Sequence, residues 1–367
     1  MALDPLALAV PGVRGLKPYQ PGKPNEELER ELGITDTIKL ASNENPLGPG
    51  PKALKVIRER LPDLGRYPDG SGSRLKAALA AKLSVAPAQI TLGNGSNEVL
   101  ELIARAFVLP ENEVVFSEHA FAVYPLVTQA VGAAAVVTPA HKWGHALETM
   151  IEAVNEKTRV VFVANPNNPT GTWVDAAALE TFLKRVPAHV FVVVDEAYFE
   201  YVTEPEYPDT IPWITRHPNL IVTRTFSKVH GLAGLRVGYG VSVPEVAEIL
   251  NRVREPFNVN SLALAAAEAA LGDLAHVTHS VATNQEGMRQ LAAGLMQLGL
   301  SYIPSVANFV CVDVNQSGAD IYKALLHEGM IVRPVANYGM PDHLRITVGT
   351  AEENVRLLEA LGKVLGR

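Results

Sequence analysis

Lys228 stands in the run Arg224-Thr225-Phe226-Ser227-Lys228-Val229-His230-Gly231, directly after the β-branched stretch Leu220–Thr223. Among small residues and hydroxyls at the mouth of a strand, an amine has the chemistry of a nucleophile. Desolvation and nearby cations lower its proton affinity and leave free amine to attack a carbonyl. Taken alone it reads as a solvated loop charge. Arg236 follows eight positions later, with Gly231 and Gly234 between them to turn the chain back toward the same place. Asp195, in Asp195-Glu196-Ala197-Tyr198, ends another apolar run, Val190–Val194. A carboxylate there must be paired or solvated; it either caps the next helix or faces a cationic ring nitrogen.

Two further segments follow the same rule of place. After Ile90–Leu92 comes Gly93-Asn94-Gly95-Ser96-Asn97-Glu98, then a helical pattern. Small residues opening a helix offer free N–H groups and the positive end of the dipole, which suits an anion such as phosphate. The plainer reading is a tight turn with Ser96 or Asn97 as the cap. The segment begins like a dinucleotide fingerprint, but Glu98 takes the place of its third glycine. After Val160–Val163 comes Ala164-Asn165-Pro166-Asn167-Asn168-Pro169-Thr170-Gly171, a rigid loop whose three asparagines offer amide donors. Anion cradle, amine, carboxylate and amide loop all fall at one edge of one sheet. Together they fit a cofactor with a phosphate, an aldehyde and a basic ring nitrogen: pyridoxal 5′-phosphate.

The elements that must position these groups are seven strand-like runs, each followed by a turn and a helical pattern: Ile90–Leu92, Val114–Phe116, Ala135–Thr138, Val160–Val163, Val190–Val194, Leu220–Thr223 and Val237–Val241. Several are apolar at every position, as in strands covered on both faces. Strands alternating with helices predict an α/β fold with a mostly parallel, doubly wound seven-stranded sheet, whose ligands bind beyond the carboxyl ends of the strands. The reading divides the chain into an irregular N-terminal arm over 1–38, a large cofactor-binding domain over 39–256 and a smaller α+β C-terminal domain over 257–367.

The chain has 367 residues, 32 Lys+Arg against 39 Asp+Glu and a formal charge of −7, so it lacks the broad basic face that nucleic acid or anionic lipid requires. Its single cysteine, Cys311, excludes an internal disulfide and a cysteine metal cluster and fits a reducing compartment. The first residues carry Asp4, Pro5 and Pro11 without a basic leader. The Ala-rich stretch from Leu262 is broken by Glu268, short of a membrane span. The expectation is a soluble cytoplasmic enzyme without a metal. The pairs His141/His145 and His276/His279 have metal-like spacing but no cysteine or acidic partner nearby, and read as surface or helix-face histidines.

The order Asn167-Asn168-Pro169-Thr170-Gly171, Asp195-Glu196-Ala197-Tyr198 and Ser227-Lys228…Arg236, with Lys39-Leu40-Ala41-Ser42-Asn43-Glu44-Asn45-Pro46 before it and Leu344-Arg345-Ile346-Thr347 after it, resembles the fold-type I pyridoxal-phosphate aminotransferases, and within them the histidinol-phosphate aminotransferase family. The resemblance spans nearly the whole chain. It implies that Lys228 bonds the cofactor aldehyde and later moves the substrate proton, and that Asp195 binds the pyridine N–H. Asn168 and Tyr198 would hold the ring hydroxyl; Ser96, Asn97, Ser227 and Arg236 would grip the phosphate; Phe121 would stack on the ring, although it also reads as a core aromatic. Tyr67 would reach the cofactor of a neighbouring subunit, making a homodimer the catalytic unit. Arg345, Arg333 and Tyr19 would bind the anionic ends of substrate, Arg333 reading otherwise as half of a structural ion pair.

The implied reaction passes an amino group between histidinol phosphate and 2-oxoglutarate, reversibly and in two half-reactions, in histidine biosynthesis. The alternative is an aromatic amino-acid transaminase acting on phenylalanine or tyrosine. Two departures stand out: Val229 replaces a usually small residue after the lysine, and Phe121 lacks a hydroxyl that some relatives carry. A nicotinamide dehydrogenase reading leaves Lys228 and the asparagine loop without a task. A non-catalytic regulator would need a DNA-binding segment for which the chain has no basic helix.

Overall fold

The computed structural model describes residues 3–19 and 22–367. Of the arm expected over 1–38, residues 1, 2, 20 and 21 therefore lie outside the described residues. The arm holds three short helices, Pro5–Leu8, Pro11–Arg14 and Asn25–Leu32, and ends in strand β1 (Ile38–Lys39).

Seven strands follow: β2 (Ile90–Gly93), β3 (Glu113–Ser117), β4 (Ala134–Thr138), β5 (Thr158–Ala164), β6 (Phe191–Asp195), β7 (Leu220–Thr225) and β8 (Gly238–Val241). They form one sheet in the order β2-β8-β7-β6-β5-β3-β4. β3 through β7 pair in parallel; β8 runs antiparallel to both β2 and β7. The β-branched centre is buried on both faces, as a sheet covered by helices requires. Val192, Val194, Leu220 and Val222 pack into one apolar cluster, while Val193, Ile221, Phe162 and Tyr124 pack into another on the opposite face. β4 is different: as an edge strand it leaves Ala134, Ala135 and Val137 exposed.

The C-terminal part carries β9 (Ser301–Ile303), β10 (Phe309–Asp313), β11 (Met330–Ile331), β12 (Arg333–Pro334) and β13 (His343–Thr347). β12, β13, β10 and β9 make an antiparallel sheet in that order, and β11 pairs in parallel with β1. Its own apolar cluster lies against helices Leu274–Gln297, Gly318–His327 and Ala351–Leu365. The last helix opens with a capping box: Thr350 Oγ1 accepts from the Glu353 N–H, while Glu353 Oε2 accepts from the Thr350 N–H.

Apolar packing crosses the division expected at 256/257 in both directions. Helix Ser261–Leu271 lies beyond it, yet Ala263, Ala266, Ala267 and Ala270 belong to the cluster beneath the large sheet. Alanines allow this helix to sit close against its neighbours. In the other direction, Ile38 and Leu40 join the apolar cluster of the smaller body. Among the described residues no helix is long and apolar enough to cross a membrane.

Candidate active site

A cavity of ≈ 490 Å³ opens beyond the carboxyl ends of β5, β6 and β7. The period-2 geometry of a strand determines what reaches it. Asp195 lies two residues after Val193 and so emerges on the Tyr124 face of the sheet; Glu196 turns to the other face. Register then supplies a partner to each. Thr223 lies opposite Asp195 on β7 and donates its hydroxyl to Oδ1 at 3.0 Å. Tyr124 donates to Oδ2 at 3.0 Å. Arg224, one residue on, donates from Nε and Nη2 to Glu196 Oε2 at 2.8 and 2.6 Å. Burial pushes the Asp195 carboxyl upward, opposed by its hydroxyl donors, a backbone N–H and the charge of Lys228. A carboxylate held by neutral donors in a buried place favours a cation beside it.

Lys228 supplies the amine. Its Nζ donates to the Ser42 carbonyl at 3.1 Å and lies 5.5 Å from the centre of the Tyr198 ring. Burial above all, then the charges of Arg345 and Arg236, bring its pKa down to about 7, against the opposing pull of Glu44 and Asp195. Near neutral pH about half of the side chain is free amine.

On the far side of Lys228 is an anion cradle. Helix Ser96–Phe107 begins with Gly95 at its cap, in a φ = +82° conformation that suits glycine. Neither Ser96 nor Asn97 caps this helix; both lie inside its first turn. A Cβ on Gly95 would fall 2.3 Å from Arg236 Nη2, so the glycine also makes room for the guanidinium. Arg236 donates from Nη1 to Ser227 Oγ at 3.3 Å and to the Ala233 carbonyl at 3.0 Å. Helix end, hydroxyls and guanidinium converge as a phosphate requires.

Arg345, on β13, is buried against the cavity; it donates from Nη1 to Asn168 Oδ1 and from Nη2 to the Ala41 carbonyl, both at 2.6 Å. Its Nε has no protein partner among the described residues, an orphan donor that an anionic ligand would satisfy. Asn165 and Asn167 turn their amides to the protein: the first exchanges hydrogen bonds with Val174, and the second donates to the His119 carbonyl and to Thr170 Oγ1. Asn168 alone of the three borders the cavity.

The sequence model of the family described as aminotransferase class I and II matches residues 35–361. The chain belongs to this family. It is 60% identical, over all of both chains, to histidinol-phosphate aminotransferase 2 of Pseudomonas fluorescens strain Pf-5. It is 58% identical to histidinol-phosphate aminotransferase 1 of Nitrosococcus oceani, over 98% of this chain and 97% of that one. Among solved structures, histidinol-phosphate aminotransferase of Sinorhizobium meliloti in complex with pyridoxal-5′-phosphate superposes with a TM-score of 0.91 at 30% identity, covering 97% of each chain. The architecture of this aminotransferase is fold-type I.

In this cavity the aminotransferase gathers Tyr19, Ser96, Asn97, Phe121, Asn168, Asp195, Tyr198, Ser227, Lys228, Arg236 and Arg345. Two residues singled out in the sequence lie elsewhere. Tyr67 is 83% exposed, stacks on Phe257 with ring centres 4.8 Å apart and borders a separate groove. Arg333 opens into an adjoining groove, its guanidinium 5.3 Å from the centre of the Tyr19 ring. Tyr124, Thr223, Thr225 and the segment Ser42–Glu44 were not legible as site residues. Tyr124 reads as a core aromatic, and indeed stacks on Phe162 at 4.5 Å. His141 and His279 are exposed as expected, but His145 is not a surface group: it bonds the Ala164 carbonyl through Nε2 at 2.9 Å, with burial holding its pKa down at about 4.

Proposed function

We propose that this chain is a pyridoxal-phosphate-dependent histidinol-phosphate aminotransferase, transferring an amino group between histidinol phosphate and 2-oxoglutarate, and that it works as a homodimer in the cytoplasm. The observation that carries this reading is the placing of Lys228 between a buried carboxylate and an anion cradle in one cavity. The names of relatives at 58–60% identity supply the substrate.

The residues fit pyridoxal phosphate. Asp195 offers a buried negative charge where a ring N–H would lie, and the first turn of helix Ser96–Phe107 with Ser227 and Arg236 suits the phosphate. Phe121 offers a face for the ring, and Asn168 and Tyr198 offer polar groups to its hydroxyl. When bound, the group supplies an aldehyde that exchanges amines and a protonated ring that withdraws electrons. The protein's own share is to deliver Lys228 as an amine, to keep it close enough to carry the substrate proton, and to seat a substrate carboxylate on the Arg345 Nε. Tyr19 borders both this cavity and the groove of Arg333, which favours a donor longer than glutamate with an anionic far end. Phenylalanine, the substrate of the alternative reading, has no such end. Tyr67 and the exposed apolar residues of the arm, Leu3, Leu6 and Leu8, are suited to a second copy.

The deciding experiment incubates purified protein and pyridoxal phosphate with 2-oxoglutarate and either histidinol phosphate or phenylalanine, and measures glutamate. Formation of glutamate at least about tenfold faster, as kcat/KM, from the phosphorylated donor is expected, in line with one added charge-assisted contact. A preference for phenylalanine refutes the substrate assignment.

A further inference from the structure

Asn43 is buried, 1% exposed, and adopts a left-handed backbone with φ of +55°, which asparagine tolerates better than most residues. Its carbonyl accepts from Asn308 Nδ2 at 3.0 Å, which ties it to the residue just before β10. Two contacts set the direction of its side chain. The Asn43 N–H donates to Thr347 Oγ1 at 2.9 Å. A hydroxyl that accepts there still has a proton to place, and Thr347 places it on Asn43 Oδ1 at 3.3 Å. The polarity of this ring begins at a backbone N–H, which can only donate. Oδ1 is therefore the accepting end of the amide and Nδ2 the donating end. Nδ2 donates to Tyr198 Oη at 2.8 Å. Having accepted, the Tyr198 hydroxyl has its own proton left to give, and Tyr198 lines the cavity.

We propose that Asn43 is a positioning residue that fixes the Tyr198 hydroxyl as a donor into the cavity, so that this corner of the site takes a ligand oxygen bearing negative charge. The inference rests on the proposed cofactor, whose ring oxygen is that group. A donor aimed at such an oxygen stabilises its ionised form; a hydroxyl free to rotate does so less. Asn43 itself borders the cavity, but its amide is engaged by Thr347 and Tyr198, and the role assigned to it runs through Tyr198. Thr347, two residues after Arg345 on the same face of β13, links the orientation of this hydroxyl to the strand that carries the substrate arginine.

The test uses full-length protein reconstituted with pyridoxal phosphate and titrated by its visible absorbance against pH. Asn43→Gly keeps the left-handed backbone without steric cost and removes the amide. Thr347→Val keeps the side-chain shape and removes the relay hydroxyl, and it decides the matter if the glycine variant does not fold. Each is expected to raise the absorbance midpoint by about half a pH unit or more, as partial loss of a charge-assisted hydrogen bond should. Tyr198→Phe should raise it further, and Asn43→Gly should add nothing in the Tyr198→Phe background. A midpoint unmoved in both variants, or a shift that persists undiminished in the Tyr198→Phe background, overturns the role of Asn43 while leaving the cofactor in place. Wild-type protein that takes up no pyridoxal phosphate overturns both.

Discussion

Arg333 and Arg345 stand directly opposite one another on the antiparallel pair β12–β13, yet they border different spaces, Arg345 the Lys228 cavity and Arg333 the groove beside it. Like charges placed across a strand pair repel, and an anion bound near either one relieves that repulsion. Under the proposed reaction the two arginines divide the work by substrate length. Arg333→Ala should lower kcat/KM for histidinol phosphate by about thirtyfold, one lost charged contact at roughly 2 kcal/mol, and leave the glutamate half-reaction within about threefold. Arg345→Ala should impair both halves. Separate single-turnover measurements of the two halves decide it; equal losses on Arg333→Ala would remove that residue from substrate recognition.

The amine of Lys228 should report its own environment. Its folded pKa lies below the usual lysine value, at about 7, so free amine, and with it covalent capture of the aldehyde, rises as pH increases through that value. Borohydride trapping after brief exposure to pyridoxal phosphate should increase from about pH 6 to about pH 8 and then level off, with label on the peptide that contains Lys228. The charge of Arg345 is the next largest influence after burial holding this pKa down, so Arg345→Ala should move the midpoint upward. A profile still climbing toward pH 10 would mean a solvated lysine.

Tyr124→Phe leaves Asp195 with one hydroxyl donor instead of two. Its carboxyl, already raised by burial, should rise further and hold a ring N–H less firmly. Affinity for pyridoxal phosphate should fall about three- to tenfold, the worth of one hydrogen bond, while the thermal midpoint of the cofactor-free protein changes little. Equilibrium dialysis against pyridoxal phosphate measures the first, and undiminished affinity would show that Tyr124 serves packing alone.

Glu196 and Arg224 are a buried ion pair one residue beyond Asp195 and Thr223, with Arg224 also reaching Asp209 at 2.7 Å and lying 3.5 Å from the centre of the Phe199 ring. Glu196→Ala leaves Arg224 only the half-exposed Asp209 as a charged partner and should cost stability toward the lower end of the about 3–5 kcal/mol of a broken buried pair, read as a lower urea midpoint. Replacement of both partners by apolar residues of similar volume should recover much of that loss.

Complementation tests the place given to Tyr67. If it serves a neighbouring copy, Tyr67→Ala and Lys228→Ala homodimers are each impaired, but co-refolding them rebuilds one intact site in every mixed dimer. Activity should return to about a quarter of wild type, because half the dimers are mixed and each has one of its two sites whole. Impaired homodimers with no recovery would assign Tyr67 to the site of its own subunit, and a fully active Tyr67→Ala homodimer would place it outside catalysis.

How much was legible in the residues follows physical lines. The runs rich in valine and isoleucine became strands because burial on both faces leaves them little else to be. β1 and β9, two and three residues long, carry no periodicity from which to be read. The cap of helix Ser96–Phe107 fell to Gly95 rather than Ser96 or Asn97, and that position is a glycine because Arg236 occupies the volume a side chain there would need. Lys228, Asp195 and Arg236 were visible as site residues because they are charged groups at strand ends. Tyr124, Thr223 and Asn43 were not: each looks like filling or loop until register and hydrogen bonding show which group it holds. Arg333 was read as an arginine for an anionic end of substrate, and pairing with β13 sets it in the groove beside the cavity.

The segment 38–45 is sewn to both bodies of the molecule. β1 pairs with β11 on one side, where Asn45 also donates to Ser280; on the other, the Ser42 carbonyl accepts from Lys228, and Asn45 donates to the Val229 carbonyl. A swing of the C-terminal body would accordingly tug on the oxygen that steadies the reactive nitrogen. Whatever the far sheet feels on meeting a guest, the lysine would feel through a leash a few residues long, without any message crossing the big sheet.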